Sequence, residues 1–261
     1  TFQDWFLFVW DNASADKTVE LIKSELNTLG VQSQIVESKE NLGFAGGHNA
    51  VFKQYCHSEH IRFAQCKLRE EFSAVEYILL LNQDMYLSLD CLEKSVNFLD
   101  AHPKAAAVSP RLMKWDFANG AFTNIIDTLG LKIFRNRRVV DRQAGEEWRG
   151  NVIPTEAGIQ SEVFGVSGAL PLYRRAALET VSFSNGDFFD ASYHSYKEDV
   201  DLAYRLASAG FKSYVLPYIV AYHDRAGAGA KTLDDAAALV NKKKQSAWVK
   251  YHSYKNHLMT L

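Results

Sequence analysis

Short apolar runs alternate with amphipathic stretches along the first 110 residues, and this order constrains the fold more than any other feature of the sequence. Strand patterns cover residues 5–10, 32–38, 75–81 and 106–110. Helical patterns cover 16–30, a stretch from Ala45, and 88–103, with Gly30 and Pro103 as end signals and Ser88 as the predicted N-cap. This alternation is typical of an α/β fold with a mostly parallel sheet covered by helices on both faces.

The second half of the chain has a different pattern. Residues 162–173 and 212–223 are strand-like, the latter as two short strands, and 198–210 form a strong helical pattern that ends at Gly210. A basic helical stretch runs from Thr232 to the end. Since no internal repeat or low-complexity linker separates the halves, we predict one domain over residues 1–261, with its halves meeting near residue 112.

The length, composition and net charge of the chain exclude several classes of protein. The chain has 261 residues, 47% of them hydrophobic, enough for a sizeable core. The net charge of −2 does not indicate the basic surface that is typical of nucleic-acid-binding proteins. No apolar run is long enough to span a membrane. The three cysteines form no CxxC pair, which favours a reducing, cytoplasmic setting. Cys56, His57, His60 and Cys66 fit no common zinc spacing, so ordinary thiols are the favoured interpretation.

Polar residues cluster where the predicted strands end. Asp11 and Asn12 follow the first strand, a glycine-rich loop follows the second, and Asn82, Gln83 and Asp84 follow the third. In open parallel sheets, ligands bind beyond the carboxyl ends of the strands. Asp11 alone is better explained as a turn cap, and the glycines match neither common phosphate-binding motif. It is the coincidence at neighbouring strand ends that predicts a ligand site.

Six motifs in a fixed order carry a resemblance over nearly the whole chain: "DNASAD", "NLGFAGGHN", "LLLNQD", "FGVSGALPLYRRAAL", "YKEDVDLAYRLASAGF" and "AYH". The set resembles the inverting glycosyltransferases of family 2, which have the GT-A fold. "DTLGLKI" and "DRQAGE" are similar to the subgroup that contains many rhamnosyltransferases of polysaccharide assembly. The resemblance implies a Rossmann-like GT-A domain with a nucleotide-binding half at about 1–112 and an acceptor half at about 113–261.

The resemblance also implies a reaction and its site. A sugar would pass from a UDP or dTDP donor to a hydroxyl of a glycan or lipid-linked acceptor, with Mg²⁺ or Mn²⁺ bound to neutralise the departing diphosphate. Asp199 matches the catalytic base. For His223, a metal ligand and a hydrogen-bonded histidine at a strand end are equally good interpretations. The implied residues are Asp84 and His223 for the metal, and Asp11, Asn12, Asn41, Gly43, Phe44, Asn49, Asn82, Gln83, Gly168 and Glu198 for the donor and its positioning.

Several alternatives stay open. Family members begin with a strand and helix that are not seen before Thr1, so either the sequence is a fragment or those nucleotide contacts are lost. A non-catalytic sugar-nucleotide-binding module is therefore the second hypothesis; a nucleotidyltransferase would need a basic glycine-rich loop that is not visible. The segment 55–75 looks longer than usual. The lysines of the last stretch favour a solvated face, with peripheral contact to an anionic membrane as the alternative: Lys242, Lys243, Lys244, Lys250 and Lys255, beside Trp248 and Tyr251.

Overall fold

The computed structural model describes residues 2–56, 75–116, 119–150, 160–224 and 246–260. Three expectations fall wholly or mainly outside these ranges. They concern the cysteine and histidine group from Cys56 to Cys66, the long segment 55–75, and Lys242–Lys244 with the start of the last helical stretch.

The first half contains the predicted alternation of strands and helices. Gly30 ends the first helix in the left-handed conformation, as predicted, and its N–H donates to the carbonyl of Leu26. Ser88 is not an N-cap: its N–H donates to Val220 in a neighbouring strand, and the third helix starts later, after Asp90. The elements are β1 (Leu7–Asp11), α1 (Thr18–Leu29), β2 (Ser33–Glu37), α2 (Gly43–Val51) with a π-helical turn (Phe52–Cys56), β3 (Tyr77–Leu79), β4 (Met85–Leu87), α3 (Cys91–Ala101) and β5 (Ala105–Asp116).

The second half is richer in strands than the sequence indicated. The predicted strand at 162–173 is two separate strands, and the two predicted strands in 212–223 are one, with a shift of register between Leu216 and Val220. Pro217, which cannot donate to a ladder, lies at that shift. The elements are β6 (Ala121–Thr128), β7 (Leu131–Ile133), β8 (Val139–Asp141), β9 (Ser161–Val163), β10 (Leu172–Arg174), α4 (Arg175–Val181), a 3₁₀ turn (Ala191–Tyr193), α5 (Glu198–Ser208), β11 (Lys212–His223) and α6 (Ala247–Met259).

In the described part of the chain, seven strands form the central sheet, in the order β3-β10-β5-β11-β4, with β6 paired to β5 and β9 to β11. β3, β5 and β11 share one direction, as predicted. However, β10 runs antiparallel between β3 and β5, and β4, β6 and β9 are also antiparallel to their partners. The sheet is therefore mixed rather than mostly parallel.

Helices cover both faces of this sheet, as expected. Neighbouring residues of one strand point to opposite sides, so Leu172 packs with α3 while Tyr173 packs with α5. The pairs β1–β2 and β7–β8 form separate two-stranded sheets, the first of them parallel. The core is thus continuous around β5, β10 and β11, and the strand ends carry the polar residues.

Candidate active site

The connection from β3 to β4 runs across the ends of the strands. After β3, the N–H groups of Leu80 and Asn82 donate to the carbonyls of Pro171 and Ala169, each at 3.0 Å. β4 then pairs with the end of β11 at the far edge of the sheet, where Met85 lies opposite His223. This path brings Asp84 to the end of β11, and the Asp84 carbonyl accepts from the N–H of Asp224 at 3.0 Å.

Asp84 and His223 meet at that point. His223 is buried, and its Nε2 lies 3.3 Å from Oδ1 of Asp84. On the other side of the ring, Nδ1 lies 2.9 Å from Oδ2 of Asp127, a carboxylate that is only 1% exposed. The imidazole is therefore held between two carboxylates, one in the turn before β4 and one in β6.

This arrangement fits a divalent cation. Oδ1 of Asp84 is buried and has no hydrogen-bond partner among the described residues, although Nε2 of His223 lies close to it. Two ligands at right angles on an octahedral ion, each about 2.1 Å from it, lie about 3 Å apart. The described residues contain no group of three or more protein ligands, so a bound metal would take its other oxygens from substrate and water.

Asp199 and Glu198 open helix α5 as adjacent carboxyl groups. Oδ2 of Asp199 accepts from the N–H of Gly168 at 3.1 Å, and Oδ1 accepts from the N–H of Val200 at 2.8 Å. Burial, together with the charge of Asp199, raises the pKa of Glu198 from 4.5 to about 8. Burial also raises the pKa of Asp199. Both groups hold protons more tightly than ordinary carboxyls do.

A short backbone segment joins the two carboxylate centres. Gly168 donates to Asp199, and the next residue, Ala169, accepts from the N–H of Asn82 in the loop that carries Asp84. Because adjacent Cα atoms are 3.8 Å apart, the tip of β3 and the start of α5 are fixed against each other through two consecutive residues.

Gly168 is not required by the packing of the protein. A Cβ atom built there would lie 3.5 Å from the ring of Phe44 and 3.7 Å from Cβ of Asp199, which are ordinary contacts. By contrast, a Cβ at Gly165 would lie 2.4 Å from that of Ala203. The glycine at 168 therefore leaves space that the surrounding protein does not need.

The glycine-rich segment forms the start of α2 rather than a loop, and Asn12 fixes it to the end of β1. Oδ1 of Asn12 accepts from the N–H of Leu42 at 2.9 Å, and its Nδ2 donates to the carbonyl of Gly43 at 3.0 Å. Asn41 accepts from the N–H of Gly43, which has a φ of +71°. A Cβ on Gly43 would lie 2.5 Å from the carbonyl oxygen of His194, so this position requires glycine.

Three further predicted residues have different surroundings. The carboxylate of Asp11 accepts from the N–H of Ser14, the turn-capping role that the sequence favoured when Asp11 was taken alone. Gln83 is exposed at the strand tip beside Asp84. Asn49 is 2% exposed, and its amide exchanges two hydrogen bonds with the backbone of Phe189, at 2.8 and 2.9 Å. These contacts tether Asn49 to the backbone of Phe189.

Sequence reasoning missed two residues at the site. Asp127 belongs to "DTLGLKI", which was noted only as a subgroup motif. Asn256, on α6, is fully buried, and its Nδ2 lies within 2.9 Å of the carbonyls of Tyr193, Ser195 and Tyr196. Tyr196 and Lys197 have positive φ angles, so Asn256 holds a strained backbone immediately before Asp199.

A shallow groove of about 520 Å³ runs along the β7–β8 hairpin. Lys132, Phe134 and Arg142 line it, and so does Asp141, whose charge contributes to the raised pKa of Asp199. Asp141 therefore connects the groove electrostatically with the start of α5.

Solved structures with a similar fold include two with bound nucleotides. One is a crystal structure of GalNAc-T7 with UDP, GalNAc and Mn²⁺ (TM-score 0.57, 10% identity), and the other is the mannosyltransferase PcManGT from Pyrobaculum calidifontis in complex with GDP-Man and Mn²⁺ (TM-score 0.50, 18% identity). Each comparison covers 83% of this chain, but only 36% and 46% of the respective structures. The chain therefore spans less than half the length of either.

The fold is that of the GT-A glycosyltransferases, as predicted. Residues 77–228, more than half of the chain, match the family model described as glycosyl transferase family group 2. The chain belongs to this family. No curated protein matches the sequence.

Proposed function

We propose that this chain transfers a sugar from a nucleotide-diphosphate donor to a hydroxyl of a glycan or lipid-linked acceptor, with inversion at the anomeric carbon. The observation that carries the proposal is the pair of carboxylate centres joined through Gly168 and Ala169. One centre suits a metal-bound diphosphate and the other suits proton removal, the two requirements of direct sugar transfer.

The proposed roles follow from these positions. When bound at Asp84 and His223, Mg²⁺ or Mn²⁺ would neutralise charge on the departing diphosphate. Asp11, Asn41, Gly43 and Phe44 would contact the nucleotide along the segment that Asn12 anchors, and Asn82 and Gln83 would lie beside the diphosphate. Gly168 would leave room for the donor sugar.

Asp199 is the proposed base. It would take the proton of the acceptor hydroxyl as the new bond forms, and Glu198 would position it. A raised pKa supports this role, because a general base works best when its pKa approaches the operating pH. The groove lined by Asp141, whose charge acts on Asp199, offers an approach for the acceptor.

For the donor we propose a UDP or dTDP sugar, and for the transferred group a hexose or deoxyhexose of the rhamnosyl type, in cell-surface polysaccharide assembly. The support is two motifs at the β7–β8 hairpin. "DTLGLKI" begins with Asp127 and ends with β7, and "DRQAGE" begins with the last residue of β8. The neighbouring structures contain UDP in one case and GDP-Man in the other, so guanosine donors belong in the test.

A thermal-shift screen tests the nucleotide site. The panel contains UDP, dTDP and GDP sugars, each with Mn²⁺, Mg²⁺ or EDTA. We expect metal-dependent stabilisation by a uridine or thymidine donor, about 2.7 kcal/mol at a hundred times its Kd. Asp84→Ala should abolish the metal-dependent part while keeping the fold, because Asp84 is partly exposed at a strand tip. The nucleotide site is rejected if no donor stabilises the protein.

Turnover separates the enzyme from the alternative of a non-catalytic binding module. Stabilisation by a donor, without sugar transfer to any acceptor or to water, would favour the module. Transfer with a product that keeps the anomeric configuration of the donor would reject the inverting mechanism and the role of Asp199 as base.

We also propose that the protein is cytoplasmic and that it contacts an anionic membrane through α6. None of the described helices is long and apolar enough to cross a membrane. Trp248, Tyr251, Tyr254 and Leu258 are each about half or more exposed on α6, as on an interfacial helix, whereas Lys255 donates to Ser192 within the protein.

Sedimentation with liposomes at low salt tests this contact. We expect greater recovery with anionic vesicles than with neutral ones, and a smaller difference for Trp248→Ala with Tyr251→Ala. Equal recovery with neutral and anionic vesicles would reject the membrane contact. The basic face of the last helical stretch would then be only solvated, which is the interpretation that the sequence favoured.

A further inference from the structure

The histidine at the proposed metal site has a second carboxylate behind it. Oδ2 of Asp127 lies 2.9 Å from Nδ1 of His223, and both residues are buried, at 1% and 5% exposure. An ionised carboxylate can only accept hydrogen bonds, so the proton at this contact belongs to Nδ1. A neutral ring with its proton on Nδ1 has a lone pair on Nε2.

That lone pair faces another acceptor. Nε2 lies 3.3 Å from Oδ1 of Asp84, and this oxygen has no hydrogen-bond partner in the described parts of the chain. Two acceptor atoms at this distance need a proton or a metal cation between them. A metal cation coordinated by both atoms satisfies each of them, including the buried oxygen of Asp84.

The backbone is built to place Asp127 there. In the ladder between β5 and β6, Leu112 pairs with Thr128 and Met113 pairs with Ile126. Asp127 therefore lies at the shift in register between these two pairs, as the extra residue of a β-bulge. A bulge redirects the side chain of the inserted residue, and such bulges occur near active sites.

We propose that Asp127 is a positioning residue for the metal site: it holds His223 in the Nδ1-protonated tautomer, so that Nε2 is presented with Asp84 to a divalent cation. This inference rests on the metal site of the proposed function. It assigns the bulge in β6 a role in metal affinity, since a carboxylate behind a ligating histidine fixes the ring and makes its free nitrogen a stronger ligand.

Mn²⁺ binding in the presence of UDP measures that role. Electron paramagnetic resonance of the free ion gives the affinity of wild type, Asp127→Asn, His223→Gln and Thr128→Val. We expect Asp127→Asn to bind Mn²⁺ about 10–100-fold more weakly and His223→Gln to be at least as weak. Thr128 is as buried as Asp127, but its hydroxyl bonds only to Gly130 in the described contacts, so Thr128→Val should keep the wild-type affinity even if its melting temperature falls.

The outcomes separate the two proposals. If wild type binds Mn²⁺ no better than His223→Gln, the metal site itself is wrong, and this inference falls with it. If wild type binds but Asp127→Asn binds equally well, or Thr128→Val loses as much affinity, the metal site stands and the role of Asp127 is overturned.

A second measurement needs no variant of Asp127. Long-range proton–nitrogen correlation on histidine-labelled wild type, at alkaline pH, reports which ring nitrogen of His223 carries the proton, with His223→Gln used for assignment. We expect the proton on Nδ1, and a change in the Nε2 signal when Mg²⁺ and UDP are added. A proton on Nε2 would overturn the proposal even if Asp127→Asn fails to fold.

Discussion

At the scale of single residues, the proposed chemistry depends most on Asp199. Asp199→Asn keeps the size of the side chain but cannot take a proton, so we expect transfer to fall by about 10²–10⁴-fold. The loss should appear in kcat, with donor affinity within a few-fold of wild type. Steady-state kinetics and donor titration measure the two quantities.

Asp201→Asn is the matched control for this variant. It removes another carboxylate from the first turn of α5, but Asp201 pairs with Arg205 rather than with Gly168. Transfer should therefore change little, and Glu198→Gln should be intermediate. A near wild-type rate for Asp199→Asn would show that the base is another group.

Substitution of Gly168 tests whether the donor sugar occupies the space beside this glycine. In Gly168→Ala the new methyl group makes only ordinary contacts, so the free energy of unfolding should stay within about 0.5 kcal/mol of wild type. Donor affinity and turnover should fall, because the methyl group occupies the space we assign to the sugar. Chemical denaturation and donor titration on the same sample give both values.

Gly165→Ala supplies the contrast, since its Cβ would lie 2.4 Å from that of Ala203. Overpacking of this kind typically costs about 1–3 kcal/mol, so this variant should lose stability. If Gly168→Ala binds donor as wild type does, the glycine has no role in sugar binding.

At the scale of elements, periodic helices were predictable and short strands were not. The pattern of α5 and the terminal glycines of α1 and α5 depend on nearby residues, so the sequence indicates them directly. β4 and β10 have three residues each, too few for a period, and their partners lie elsewhere in the chain. The antiparallel insertion of β10 between β3 and β5 therefore could not be predicted.

The same distinction holds for the site. The positions of Asp84 beyond a strand and of Asp199 at a helix start were predictable because strand ends and helix starts depend on nearby residues. Asp127 depends on a bulge in the pairing of β5 with β6, and Asn256 acts on carbonyls about 60 residues away along the chain. Their roles arise from tertiary contacts, which a single sequence does not show.

At the scale of the whole molecule, the buried carboxyl pair at the start of α5 makes stability depend on pH. The pKa of Glu198 is about 8 in the folded protein, because of burial, against an ordinary value of 4.5 when the carboxyl is exposed to water, as in the unfolded chain. The folded state therefore binds its proton more tightly, and this contribution to stability is complete below about pH 4.5. It is lost as the pH rises towards about 8, because the unfolded state releases the proton first.

Glu198→Gln removes this dependence, since glutamine is neutral at every pH. Relative to wild type, the variant should gain stability as the pH rises from about 5 to about 8.5, with a slope of at most about 1.4 kcal/mol per pH unit for one proton. Chemical denaturation of both proteins at several pH values measures the difference. Glu162→Gln is the control: Glu162 is an exposed carboxylate paired with Lys212, so its difference from wild type should stay nearly constant over the same range. A constant difference for Glu198→Gln as well would mean that Glu198 ionises normally in the folded protein, so that burial at the start of α5 does not favour its protonated form.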